Sequence, residues 1–310
     1  MKKSSIGALL IMLAAALWAL DALIRTTLTT TIPSTWIVFI EHFVGLIVLL
    51  PFLIRERSVY KTLTVKDWLV AVGLTLVSSV FGTLLFTQAL ALSFVNFDFA
   101  TPVLLQKLQP LFTIAVAGLF LRERVSLRYL FLVPGAFIGS YMISFGTEPI
   151  TFQLAGKELV YVLAIGAAAA WGSGTVLSKS LLNKMNYSAA TALRFLLAIP
   201  LSLGVALYLD PHYSVMGLQF AELWRFLLIA LTTGAGAILI YYRGLRHTTA
   251  SVSTIAELTF PIVSILIAIT YLNPYGEPQH LTLANIFGIL ILLSSILGIG
   301  FDREAVKQHS

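Results

Sequence analysis

Asp98-Phe-Ala-Thr-Pro102-Val-Leu-Leu-Gln106-Lys107-Leu-Gln109-Pro110 and Thr249-Ala-Ser-Val-Ser253-Thr254-Ile-Ala-Glu257-Leu-Thr-Phe-Pro261 decide how this chain is read. Each stretch carries an ionisable side chain, Lys107 or Glu257, and closes on a proline. Pro110 and Pro261 stand 151 residues apart, near the middles of segments long enough to cross a bilayer. A lysine at that depth costs roughly 2.5–3.5 kcal/mol on insertion scales. Something must offset that cost, and a transport site is the leading explanation.

Composition supports a membrane class. Of the 310 residues 58% are hydrophobic and only 11% charged, with a mean hydropathy of +0.92. A soluble domain carries about 25% charge, so lipid must serve as the outer solvent. There is no cysteine, which excludes disulfides, thiolate metal sites and thiol catalysis. The net charge of +6 does not indicate nucleic acid, because the basic residues form short clusters between apolar runs.

Ten apolar stretches qualify as spanning helices: 6–24, 35–54, 68–91, 98–121, 127–146, 158–180, 187–208, 221–242, 250–272 and 281–301. The start imitates a signal peptide but lacks a convincing small-x-small cleavage site, so an uncleaved first helix is expected. With the N-terminus inside, fifteen Lys and Arg fall in inner loops and tails. Arg25, Lys157 and Arg225 fall outside, and Lys107 and Arg194 remain within the membrane. Both termini are therefore expected in the cytoplasm, with the chain in a cell inner membrane.

The chain is doubled. Ala16-Leu-Trp18-Ala recurs as Ala169-Ala-Trp171-Gly at an offset of 153 residues, and His42-Phe43 matches Arg194-Phe195 at 152. The prolines match at 151. Five helices per copy is an odd number, so the second copy must enter the membrane inverted. Inverted repeats are an architecture of secondary transporters, with the site at the repeat interface. The expected fold is all-α and polytopic: residues 1–146 form one repeat, 147–157 a linker and 158–310 the other.

The paired Trp motifs, Arg194-Phe195, Pro110 and Pro261, Glu123 and Gly276-Glu277 resemble the EamA branch of the drug/metabolite transporter superfamily. The resemblance covers nearly the whole chain. It implies a ten-helix carrier exporting amino acids, related metabolites or toxic small molecules. It further implies a central cavity lined by helices 1, 3, 4, 6, 8 and 9. The chain departs from the family pattern at Glu41-His42, where Arg-Phe is usual, and at Arg122, where glycine usually precedes the glutamate.

Lys107 and Glu257 are the sharpest candidates. Glu257 would receive a substrate ammonium or a proton and Lys107 a carboxylate or phosphate; the competing reading is a buried Lys107–Glu257 ion pair. Ser253, Thr254, Pro261 and Ser264 share a helical face with Glu257, and Gln106, Pro110, Thr113 and Ala117 form a similar face on span 4. By the proline offset, Gln106 rather than Lys107 is the counterpart of Glu257. Glu41 with His42 reads either as a proton-coupling station or as a structural pair. Arg194 binds an anion, pairs with a carboxylate or snorkels to headgroups, the last two being favoured. Trp18 and Trp171 line the cavity or pack the core, Asp21 is expected to be wetted, and Glu123 belongs to a solvated loop network with Arg122, Arg124 and Arg128.

Glu41 and Glu257 balance Lys107 and Arg194. Such a cavity suits a zwitterion or polar neutral solute better than a multivalent anion. No cofactor or metal is expected. There is no His-Glu-x-x-His and no Gly-x-Ser-x-Gly, which disfavours an intramembrane enzyme. A lipid-headgroup flippase of the same fold is the nearer alternative. A proton gradient or the solute gradient would drive flux, in a monomer or homodimer.

Overall fold

The computed structural model describes residues 3–94, 100–147, 158–273, 277–300 and 306–308. The linker residues 148–157, Asp98 and Gly276 lie outside the described residues. Nine helices among the described residues are long and apolar enough to cross a membrane, from Ser34–Arg55 to Leu283–Gly300. Before them comes span 1, Lys3–Leu28, whose apolar part Ser5–Asp21 is shorter. The ten spans stand within a few residues of the expected positions.

Local chemistry sets several boundaries. A reciprocal Thr64–Asp67 capping box starts span 3 (Val65–Ser93). Ser126, Asn186 and Thr249 cap spans 5 (Leu127–Phe145), 7 (Tyr187–Leu209) and 9 (Ala250–Ala268) by accepting a backbone N–H. Gly146, at φ 63°, ends span 5 in a conformation that side-chain-bearing residues avoid.

Four spans are irregular, in matched pairs. Span 4 breaks at Lys107-Leu108, between Ala100–Gln106 and Gln109–Phe120; span 9 breaks at Glu257-Leu258, between Ala250–Ala256 and Thr259–Ala268. Pro110 and Pro261 cause this, because each lacks an N–H and crowds the carbonyl four residues earlier. Span 3 is π-helical over Thr75–Gly82, and span 8 (Phe220–Leu245) is interrupted where Gly234 N–H reaches Ile229 O, five residues back.

Helix pairing respects exchange of the two halves. Span 1 packs on spans 8 and 9 as span 6 (Glu158–Leu182) packs on spans 3 and 4, while spans 2 and 7 pair with each other. Spans 5 and 10 (Leu283–Gly300) also pair, around a glycine crossing. A Cβ on Gly139 would lie 2.7 Å from the Gly288 carbonyl, and one on Gly288 would lie 2.8 Å from that of Gly139.

The outside is greasy and the inside is fine-grained. Leu119, Phe131 and Phe287 face outward, whereas Ala164, Ala167 and Ala168 are fully buried. This is the pattern of a bundle whose solvent is lipid and whose helices approach closely. Two short strands accompany the helices. Strand β1 (Glu123–Val125) pairs antiparallel with strand β2 (Val306–Gln308), so the tail returns to the turn after span 4.

Candidate functional site

A cavity of about 190 Å³ lies between the halves and draws on eight spans. Spans 5 and 10 contribute no lining residue. To the six helices implied by the resemblance, span 2 adds Glu41 and His42 and span 7 adds Arg194 and Phe195.

The two helix breaks face this cavity. They put Lys107 and Glu257 at the same position of their repeats, at an offset of 150, so Lys107 and not Gln106 is the counterpart of Glu257. The two do not form an ion pair. Lys107 Nζ donates to Gln106 Oε1 at 2.9 Å and sits 3.4 Å from the centroid of the Phe260 ring. Gln106 Nε2 donates to Gln109 Oε1 at 2.9 Å, and Gln109 Nε2 donates to Glu257 Oε2 at 2.7 Å. Tyr241 donates its hydroxyl hydrogen to Glu257 Oε1 at 2.8 Å. Lysine can only donate and an ionised carboxylate can only accept, so both amides in this chain are held in one orientation. Two glutamines therefore stand where the competing reading put a direct pair.

Aromatic rings wall the cavity symmetrically. Trp18 of span 1 meets Tyr241 of span 8 at 5.2 Å between ring centroids, and Trp171 of span 6 meets Phe86 of span 3 at the same distance. Trp171 Nε1 donates to the Ser78 carbonyl within the π-helical stretch. Both tryptophans line the cavity, and Trp18 also packs against the main hydrophobic core. Ser253 is different: it is fully buried, its hydroxyl donates to the Ala250 carbonyl, and it is not among the lining residues. Its neighbour Thr254 lines the cavity in its place.

A second cluster surrounds Arg25. Counting this arginine with the outer loops was wrong: it is 8% exposed, lies 2.7 Å from Glu41 Oε2 and also pairs with Asp21. Asp21 in turn accepts from Thr233 of span 8, so it is fixed rather than merely wetted. Asp21, one turn earlier on span 1, and Glu41 of span 2 are what hold the guanidinium inside. His42 Nδ1–H donates to the Val38 carbonyl at 2.7 Å, which fixes its tautomer, and its ring packs on Phe195. Among the described residues no group of three His, Asp or Glu could hold a metal ion.

Arg194 neither snorkels nor pairs with a carboxylate. It is 9% exposed and donates to the hydroxyls of Ser78, Ser79 and Tyr242. Among the described residues the cavity's three acids, Asp21, Glu41 and Glu257, equal its Lys and Arg residues, Arg25, Lys107 and Arg194. Charge balance thus survives the added pair.

Glu123 is also corrected. It is 6% exposed and accepts from Ala250 N, Ser251 N and Ser251 Oγ, ordering the first turn of span 9. Reading by residue type missed Tyr241 and undervalued Gln109, because neither is ionised at neutral pH. Gln109's place directly before Pro110 was the available signal.

Comparison with known proteins agrees with this arrangement. The EamA-like transporter family matches residues 5–145 and again 158–301. The riboflavin transporter ImpX of Fusobacterium nucleatum is 36% identical over 264 residues, covering 84% of this chain and 87% of that protein. A solved structure described only as a crystal structure of a protein superimposes with a TM-score of 0.73, over 94% of this chain and 95% of the other, at 16% identity. Likeness at that identity speaks to the fold alone.

Proposed function

This chain belongs to the EamA-like transporter family, and on that premise we propose that the small molecule it carries across its membrane is riboflavin or a close flavin. The observation that carries the reading is the 36% identity to a riboflavin transporter over 84% of the chain. The cavity chemistry agrees. A flavin presents a flat heteroaromatic ring and an uncharged polyol chain. Two matched aromatic pairs supply flat walls, and a charge-balanced set of acids and bases supplies partners for a neutral solute.

The cavity of about 190 Å³ is smaller than a drug-sized site of about 300–1,000 Å³, so the walls must part for a flavin. Repeats 1–146 and 158–310 rock against each other to expose it to each side in turn, in an inner membrane with both termini cytoplasmic. A proton or solute gradient drives the cycle, and the unit is a monomer or homodimer. A second reading, export of amino acids or similar zwitterions, is favoured by one feature: Lys107 and Glu257 face the same cavity without pairing.

Proteoliposomes carrying the purified protein separate the two readings. Saturable uptake of labelled riboflavin that unlabelled amino acids do not reduce is the expected result. Saturable uptake of labelled amino acids, with no flavin flux, would replace the first reading with the second.

A further inference from the structure

We infer that Glu257 and Gln109 together read the cyclic imide edge of the flavin ring, C(=O)–NH–C(=O), by its N–H and one adjacent carbonyl. The inference rests on the flavin reading above and assigns its orientation and specificity.

The argument is a count of unused hydrogen-bonding capacity at the helix breaks. Each oxygen of Glu257 accepts one hydrogen bond, Oε2 from Gln109 and Oε1 from Tyr241. A carboxylate offers about four acceptor sites, so roughly two remain. Gln109 Nε2 uses one of its two hydrogens on Glu257. Lys107 uses one of its three on Gln106. The cavity lining therefore holds a carboxylate that can take one more donor and, bonded to it, an amide with one N–H to spare. All three residues line the same cavity.

An imide edge offers the complement, an N–H beside a carbonyl acceptor. Its N–H would donate to Glu257, and the adjacent carbonyl would accept from Gln109. No existing bond of the chain need break, because only unused capacity is filled. The aromatic pairs Trp18–Tyr241 and Phe86–Trp171 then have the ring system to hold. A hydrogen bond to a charged group discriminates strongly against an analogue lacking the donor, because the partner is left buried and unsatisfied.

The test uses the full-length protein in proteoliposomes and three solutes: riboflavin, N3-methylriboflavin, and riboflavin lacking its 7,8-methyl groups. The imide site predicts that N3-methylation lowers kcat/KM by about tenfold or more, as loss of a hydrogen bond to a charged acceptor does. Removing the ring methyls should have a much smaller effect. Glu257→Gln and Gln109→Leu should each lower riboflavin uptake and narrow the gap between riboflavin and its N3-methyl form. Wild-type protein that carries both flavins equally would overturn the imide site and leave the flavin reading standing. Wild-type protein that carries no flavin would overturn both. Since the wild-type comparison decides, poor folding of either variant does not blunt the test.

Discussion

Glu123 holds Ser251 twice, accepting its backbone N–H at 3.0 Å and its hydroxyl at 2.7 Å, from a position 128 residues earlier in the chain. A third bond comes from Ala250 N at 2.9 Å. The carboxylate of one repeat thereby satisfies donors that the first turn of a helix in the other repeat leaves open. Replacing it with alanine strands those donors in a buried place. Glu123→Ala should lower stability by about 3 kcal/mol, from the typical worth of hydrogen bonds to charged groups. Glu123→Gln keeps an acceptor and should lose less. Thermal unfolding in detergent checks this, and unchanged melting of the alanine variant would refute the cross-repeat role.

Arg25 pairs with both Asp21 and Glu41, and the other basic side chain within 4 Å of them among the described residues is His42, 3.6 Å from Glu41 Oε1. Arg25→Met leaves the buried Glu41 and the half-buried Asp21 without it, which should destabilise by about 3–5 kcal/mol. Adding Glu41→Gln and Asp21→Asn should restore most of that loss. A triple variant that melts no higher than the single one would show that packing, not charge, was lost.

Lys107 behaves oppositely. Among the described residues it has no carboxylate within 4 Å, only an amide oxygen and an aromatic face. Lys107→Met removes a desolvated charge without stranding a counterion, so melting should stay level or rise slightly. Solute flux should fall nonetheless, because the spare donors are gone. A variant that is stable and fully active would remove Lys107 from the transport site.

Outside the spans, Glu56 gives a pH signature. Hydrogen bonds from Asn186 and Ser188, with Arg55 beside it, hold its carboxyl below the usual glutamate value. A pKa lowered by folding contributes stability that is complete above the unfolded value of about 4.3 and disappears as pH falls through the folded value. Melting temperature should therefore decline on acidification below about pH 5 more steeply in the wild type than in Glu56→Gln. Parallel acid limbs would exclude this contribution.

The fold was legible because lipid imposes long apolar runs, and because a doubled gene leaves repeated landmarks such as Trp18 and Trp171. Lys107 and Glu257 were legible for the converse reason, since charge stands out against hydrocarbon. What escaped was pairing. Charge near a helix end looks like a loop charge, which hid Arg25, and a glutamate among arginines looks solvated, which hid Glu123. Glu41 for Arg25, and Ala250 and Ser251 for Glu123, come from other spans that no local pattern announces; Asp21, four residues before Arg25, was the one local signal. The Lys107–Glu257 register also needed coordinates, because Pro110 and Pro261 sit at slightly different places within their second half-helices.

The crossing of Gly139 over Gly288 has an evolutionary corollary. Bare backbone meets bare backbone there, and no lining residue depends on it. This pair of helices serves as a fixed keel outside the cargo hold. Descendants of such a chain are free to rewrite what they ferry by altering the other eight helices, while any side chain larger than hydrogen at the keel would be selected against whatever the cargo.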